Sequence, residues 1–184
     1  MSNRHRVFLS FHHANDEVYK RRFEQLFCAA EKAVYSHSVN DVEIDSGLPA
    51  ERIRQTIRDK YLRNSSVTVV LVGTDTWRRK HVDWEISSSL RHTTLNRRSG
   101  LVGLILPSRW DHYSGFTPNL RTMPARLVDN VQRGYASLHP WTEDVYQMVN
   151  IIHNAWSQRF GAILPDHSRP LMSYNARATD AGWL

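Results

Sequence analysis

Short, continuous apolar runs alternate along the chain with longer segments whose apolar residues recur at helical spacing. Such runs lie at 6–11, 66–73 and 101–106, and two shorter, partly polar segments at 41–44 and 136–139 are also predicted to be strands. Runs of this kind, bounded by turn residues, are typical of parallel strands covered on both faces. The alternation predicts a doubly wound, mainly parallel five-stranded α/β sheet of flavodoxin type, with strand order 2-1-3-4-5 and helices on both faces.

The segments between the apolar runs have the three- and four-residue spacing of amphipathic helices. Asn15 or Asp16 is expected to cap a helix that extends to about Val34, and Pro49 to open the second helix. Thr142 is expected to cap the last helix. The apolar stripe of that helix consists of Val145, Met148, Val149, Ile152, Ala155 and Trp156.

The central feature of the chain is the third strand and the helix that follows it. In open α/β sheets, ligands bind outside the carboxyl ends of the strands, which is where residues 74–84 are expected to lie. The helix carries Glu85, which the pattern places close to the helix start. Glu85 is therefore the first candidate functional residue. The alternative is a structural carboxylate that is favoured there by the helix dipole.

Length and composition limit the class of protein. The chain has 184 residues, of which 41% are hydrophobic, and no apolar run is long enough to cross a membrane. Residues 1–164 are expected to form one domain, and 165–184 a tail that packs on the domain or trails from it. The single cysteine, Cys28, excludes an internal disulfide and favours a cytoplasmic location, and we interpret Cys28 as a core residue.

Charge and motifs exclude several functions. The formal net charge is +6, but the basic residues are scattered, so we expect solvated helix faces and no nucleic-acid partner. The sequence lacks the glycine patterns of dehydrogenases and P-loop NTPases and the Gly-x-Ser-x-Gly of α/β-hydrolases. Its histidines lack zinc-site spacing, and no metal is expected.

Several segments of the chain resemble corresponding segments of a known protein family. Residues 7–11, Val-Phe-Leu-Ser-Phe, are similar to the opening strand of Toll/interleukin-1 receptor (TIR) domains, and 53–72 to their second helix and third strand. The Trp-Cys-x-x-Glu segment of TIR domains corresponds here to 81–85, in which only the Glu is retained. With this departure, residues 6–160 resemble the TIR-like ThsB group of the bacterial Thoeris antiphage system.

The resemblance implies an enzyme that takes NAD+ as substrate and needs no prosthetic group. It would cleave the nicotinamide–ribose bond and release an ADP-ribose-derived messenger, a cyclic ADP-ribose isomer or a related conjugate. In the family, that messenger activates a separate effector protein. Breaking an N-glycosidic bond develops an oxocarbenium-like ribose, which a carboxylate in a desolvated cleft stabilises, so Glu85 is the expected catalytic residue.

Other residues are expected to contribute to substrate binding. They are Ser10, Phe11, His12, Asp45, Ser46, His81 and Trp84. Phe11 is expected to contact a ring of NAD+ and His12 a phosphate, although His12 is equally compatible with an exposed loop. Asp45 and Ser46 correspond to the TIR loop that gates the site and mediates assembly. Trp84 either packs on a ligand ring or lies in the core.

The competing hypothesis is a non-catalytic TIR-like interaction module, because His81 and Val82 replace the usual residues before Glu85. A receiver domain of the same fold would need an acidic cluster after the first strand and an aspartate ending the third, whereas Ser10 and Gly73 stand there. Ser10 is instead expected to form a structural hydrogen bond at the strand end. Self-association is expected from the resemblance, since neighbouring TIR loops often complete the site.

Overall fold

A computed structural model describes the protein over residues 5–28, 34–37, 52, 55–93, 97–109, 118–177 and 179–183. Its strands are β1 (His5–Ser10), β2 (Val34–His37), β3 (Val67–Val72), β4 (Gly100–Ile105) and β5 (Ala136–Pro140). All neighbouring strands are parallel, and their order in the sheet is β2-β1-β3-β4-β5. The predicted fold class and the order of strands in the sheet are confirmed, although β2 is a different segment from the predicted strand at 41–44.

Five helices accompany these strands in the described part of the chain. They are α1 (His13–Phe27), α2 (Ile57–Leu62, wound as a π-helix), α3 (Lys80–Leu90), α4 (Ala125–Gln132) and α5 (Val145–Gln158). Short 3-10 turns at Thr76–Arg78 and Leu120–Thr122 precede α3 and α4. These turns decide where the two following helices begin.

Successive residues of a strand point to opposite faces of the sheet, and helices cover both faces. Leu9 and Val69 pack with Phe23 of α1 and Ile152 of α5 in one core cluster. Val70 and Leu101 belong to a second cluster with Ile86 of α3 and Leu127 of α4, and Phe8 packs with Ile57 of α2. The face that includes α3 therefore receives the side chains of every second residue of β1.

The first two elements and the cap of α5 differ from the sequence-based prediction. The N-cap of α5 is Asp144, whose carboxylate accepts from the Gln147 N–H, and the prediction that Thr142 caps this helix is wrong. α1 begins at His13, with His12 at its N-cap, and its last residue is Phe27. The prediction that Asn15 or Asp16 caps the helix is therefore wrong, as is its extension to Val34. β2 begins at Val34, the residue that the prediction placed at the end of a helix. β-branched and aromatic residues such as Val34 and Tyr35 suit a strand. The predicted strand at 41–44 lies outside the described residues.

The C-terminal tail packs across α3 and α4. Asp166 and Asn130 exchange two hydrogen bonds, at 2.8 Å from the Asp166 N–H and 3.2 Å to its carbonyl. The buried guanidinium of Arg126 donates to the Pro170 carbonyl at 3.0 Å, and the indole N–H of Trp183 donates to the Met123 carbonyl at 2.7 Å. Of the two expected arrangements of the tail, the structure has the packed one.

Candidate functional site

Glu85 lies in the middle of α3 and not close to its start. The 3-10 turn and an extended Arg79 delay the helix, so that five residues of α3 precede Glu85. Asp83 is the acidic residue of the first turn. Because the influence of the helix dipole fades after the first turn, the dipole does not account for a carboxylate at position 85.

The Glu85 carboxylate accepts a hydrogen bond from the hydroxyl of Ser10, the last residue of β1. The two oxygens are 2.6 Å apart, the distance of a charge-assisted O–H···O⁻ bond. Glu85 is 4% exposed and Ser10 is fully buried. The structure thus confirms the expected hydrogen bond of Ser10 and adds its partner, a carboxylate whose field is weakly screened at the carboxyl end of a central strand.

His81 and Trp84 lie beside Glu85 on α3. His81 is half-buried, and its ring contacts the Trp84 ring edge-on with a centroid distance of 5.2 Å. Trp84 is buried against Phe8 and Ile57, and its indole N–H donates to the Met172 carbonyl of the tail at 2.9 Å. Trp84 therefore has the surroundings of a core aromatic residue, one of the two roles expected for it.

The remaining candidates are not brought to Glu85 in the described structure. Phe11 is buried in the core cluster of α1 and α5, on the face opposite α3, with its ring 4.2 Å from that of His13. His12 is buried at the start of α1. Contacts of Phe11 and His12 with a substrate stay predictions. Asp45 and Ser46 lie outside the described residues.

Sequence reasoning missed a polar cluster at the end of β3. The Thr76 hydroxyl accepts from the Gly73 N–H at 2.8 Å and lies 3.1 Å from the Asp16 carboxylate, to which it donates. A Cβ on Gly73 would stand 2.3 Å from a carboxylate oxygen of Asp16, so only glycine allows this approach. The sequence identified Asp16 as a helix cap, but nothing local indicated that Thr76, 60 residues away, would contact it.

Arg109 is a second residue that the sequence did not single out. Its buried guanidinium donates to the Thr122 carbonyl at 2.7 Å and lies 3.5 Å from the Gly73 carbonyl. The sequence signal that could have identified Arg109 is its position shortly after the fourth strand, because a cation at the carboxyl edge of the sheet can bind a phosphate group of a ligand. A pocket of about 210 Å³ adjoins it, lined by Thr74, Asp75, Trp77, Arg78, Arg109, Thr122, Asp180 and Ala181.

That pocket is smaller than the roughly 300–1,000 Å³ of most ligand sites, and Glu85 does not line it. The arrangement at the carboxyl edge therefore consists of two separate parts. One is the buried carboxylate of Glu85 with Ser10, and the other is a small pocket with two arginines, Arg78 and Arg109.

The buried carboxyl of Asp16 is expected to make stability depend on pH. Burial raises its pKa to about 6 from an ordinary 3.8, and the Thr76 hydrogen bond opposes this in part. The folded state then holds a proton that the unfolded state has released. The contribution is fully present below pH 3.8 and is lost as pH rises through about 6, reducing the free energy of unfolding by about 2–3 kcal/mol.

Urea unfolding of the wild type and Asp16→Asn over this pH range measures the effect. The wild type is expected to lose stability relative to the variant as pH rises from about 4 to about 7. Other groups titrate in both proteins and cancel in the difference. Parallel stability curves would contradict the prediction.

Comparison with known proteins identifies the family of the chain. The family described as "Thoeris protein ThsB, TIR-like domain" matches residues 8–111, which is more than half of the sequence and includes both Ser10 and Glu85. No curated protein matches the chain. Among the residues that the structure describes, no helix is sufficiently long and apolar to span a membrane. The chain belongs to the family of TIR-like domains of the Thoeris protein ThsB.

Proposed function

We propose that this protein is an NAD+-consuming enzyme of antiphage defence, which cleaves the nicotinamide–ribose bond and forms an ADP-ribose-derived messenger. The observation that carries the proposal is the buried Glu85–Ser10 pair within the segment matched by the family. A buried carboxylate that accepts a hydrogen bond from a hydroxyl is suited to stabilising a nearby cation. The messenger would act on a separate effector protein.

The proposed reaction uses the carboxylate as an electrostatic catalyst. As the bond between the ribose carbon and nicotinamide breaks, its electron pair stays on the nicotinamide nitrogen, which becomes neutral and needs no proton. Positive charge develops on the ribose, and Glu85 stabilises it in a low-dielectric site. Ser10 holds the carboxylate in place through its hydrogen bond. A hydroxyl, from water or from the substrate itself, then captures the ribose and loses its proton.

In the described conformation, the proposed reaction is limited by how little of Glu85 a substrate can reach. The residue is only 4% exposed, so a ribose can approach it only after neighbouring groups move. Activity that depends on an infection-derived trigger or on self-association would be consistent with such opening. We therefore propose that the described conformation is a resting state, and that a second copy of the chain contributes to the open site.

The test is incubation of the purified protein with NAD+, with and without lysate from phage-infected cells. Mass spectrometry follows nicotinamide and the second product. Release of nicotinamide is expected, with a larger amount in the presence of infected lysate, and the mass of the second product would identify the messenger class. Folded protein that releases none under either condition would contradict the proposal.

The second candidate function is a non-catalytic interaction module. The observation that favours it is the same burial of Glu85, since a carboxylate inside a hydrogen-bonded core can serve folding alone. In that case phage protection would persist without nicotinamide release. The two functions are separated by the variant discussed below.

A further inference from the structure

A separate basic pocket lies at the opposite edge of the sheet. It has a volume of about 360 Å³ and is lined by His92, Arg97, Arg98, Arg159 and Phe160. Arg97 and Arg98 precede β4, which begins at Gly100, and Arg159 follows α5. The pocket is thus at the amino end of β4, whereas Ser10 is at the carboxyl end of β1. It goes beyond the site of the proposed function.

Two of the three arginines of this pocket, Arg98 and Arg159, are held by backbone carbonyl groups. Arg98 donates to the Arg159 carbonyl at 3.0 Å, and Arg159 donates to the Ser66 carbonyl at 3.3 Å. Within the described ranges, no carboxylate forms an ion pair with Arg97, Arg98 or Arg159. Burial, together with the charges of Arg97 and Arg98, lowers the pKa of Arg159. The positive charges are therefore close together without compensation from the described chain.

The fold creates this cluster from distant parts of the sequence. Arg97 and Arg98 looked like one of several scattered basic pairs, yet they meet an arginine about 60 positions later in the chain. Guanidinium groups bind phosphate oxygens in paired hydrogen bonds, and several around one pocket favour a multiply charged anion. The cluster therefore indicates a phosphate-bearing ligand.

The aromatic wall and the volume narrow the ligand class further. The Phe160 side chain is 56% exposed although it is large and apolar, and the Arg159 guanidinium lies 4.9 Å from the centre of its ring. A volume of 360 Å³ is within the range of sites for organic ligands, and a phosphate ion alone would leave most of it unfilled. We propose that this pocket binds a nucleotide, with its phosphates on Arg97, Arg98 and Arg159 and its base against Phe160.

Calorimetric titration of the full-length protein with ADP tests the proposal. The wild type is compared with Arg97→Glu and with Arg63→Glu, which makes the same change of charge at an exposed position outside the pocket. Arg97→Glu is expected to weaken ADP binding by about tenfold or more, because it places a carboxylate against the phosphates. Arg63→Glu and Glu85→Gln are expected to bind ADP like the wild type.

Two further comparisons test the phosphate contacts and the contact of the base with Phe160 separately. Pyrophosphate is expected to bind more weakly than ADP, and Phe160→Ala is expected to remove that difference. Absence of ADP binding, or equal affinity in Arg97→Glu and the wild type, would overturn the pocket as a nucleotide site. Pyrophosphate that binds as tightly as ADP would overturn the role of the base. Loss of ADP binding in Glu85→Gln would place the nucleotide at the carboxyl edge and so contradict the proposal. Failure of NAD+ cleavage affects none of these results.

Discussion

Glu85→Gln is expected to reduce nicotinamide release from NAD+ by at least about a hundredfold, the effect of removing one preorganised electrostatic group. Glutamine has nearly the shape of glutamate, and its amide oxygen can still accept the hydrogen bond from Ser10. The variant therefore loses the negative charge and keeps the local packing. Circular dichroism and urea unfolding should show a folded protein of similar or greater stability, since a buried charge has been removed.

The matched control is Glu17→Gln, the same chemical change on the outer surface of α1. The Glu17 side chain is 37% exposed and pairs with Arg21 at 3.2 Å. This exchange should leave nicotinamide release unchanged and alter stability by less than about 1 kcal/mol. Phage protection is then measured beside nicotinamide release for both variants. Protection that persists in Glu85→Gln would favour the interaction module, and a fully active Glu85→Gln enzyme would show that the site is placed wrongly.

The strands that the sequence predicted well are those with long, continuous apolar runs. β3 and β4 are buried throughout, and their β-branched residues leave few alternatives. β2 was misplaced because it is only four residues long and pairs with the first four residues of β1. A strand of that length has too little periodicity to distinguish it from the end of a helix. Its position is decided by pairing with β1, which the local pattern does not encode.

The candidate site was predictable in its residue types but not in its contacts. The sequence named both Glu85 and Ser10, yet nothing in it indicated that these two side chains, 75 positions apart, form one hydrogen bond. The position of Glu85 within α3 was wrong because the 3-10 turn at Thr76–Arg78 shifts the helix start. Asp16 and the arginines at 97, 98 and 159 gained their significance only from long-range packing. These contacts depend on how the helices pack on the sheet, and the local spacing of residues does not indicate that arrangement.

The second large effect is expected from Arg126→Met, which removes one partner of a buried ion pair. Arg126 donates to the Asp83 carboxylate at 2.8 and 3.3 Å, and both side chains are buried between α3, α4 and the tail. Asp83 also accepts from the Met172 N–H at 2.9 Å. Methionine fills similar space but leaves the carboxylate without its cation, so the free energy of unfolding should fall by about 3–5 kcal/mol.

Urea unfolding measures this loss, with Arg133→Met as the control. Arg133 pairs with Asp166 at 3.8 Å and its side chain is 51% exposed, so the control should cost less than about 1 kcal/mol. The double variant Asp83→Leu/Arg126→Met should be more stable than Arg126→Met, because the unpaired charge is gone and an apolar pair can pack in its place. A double variant that is less stable than Arg126→Met would show that Asp83 still stabilises the fold without its cation, through the hydrogen bond from the Met172 N–H, and that the isolated carboxylate is not the source of the loss.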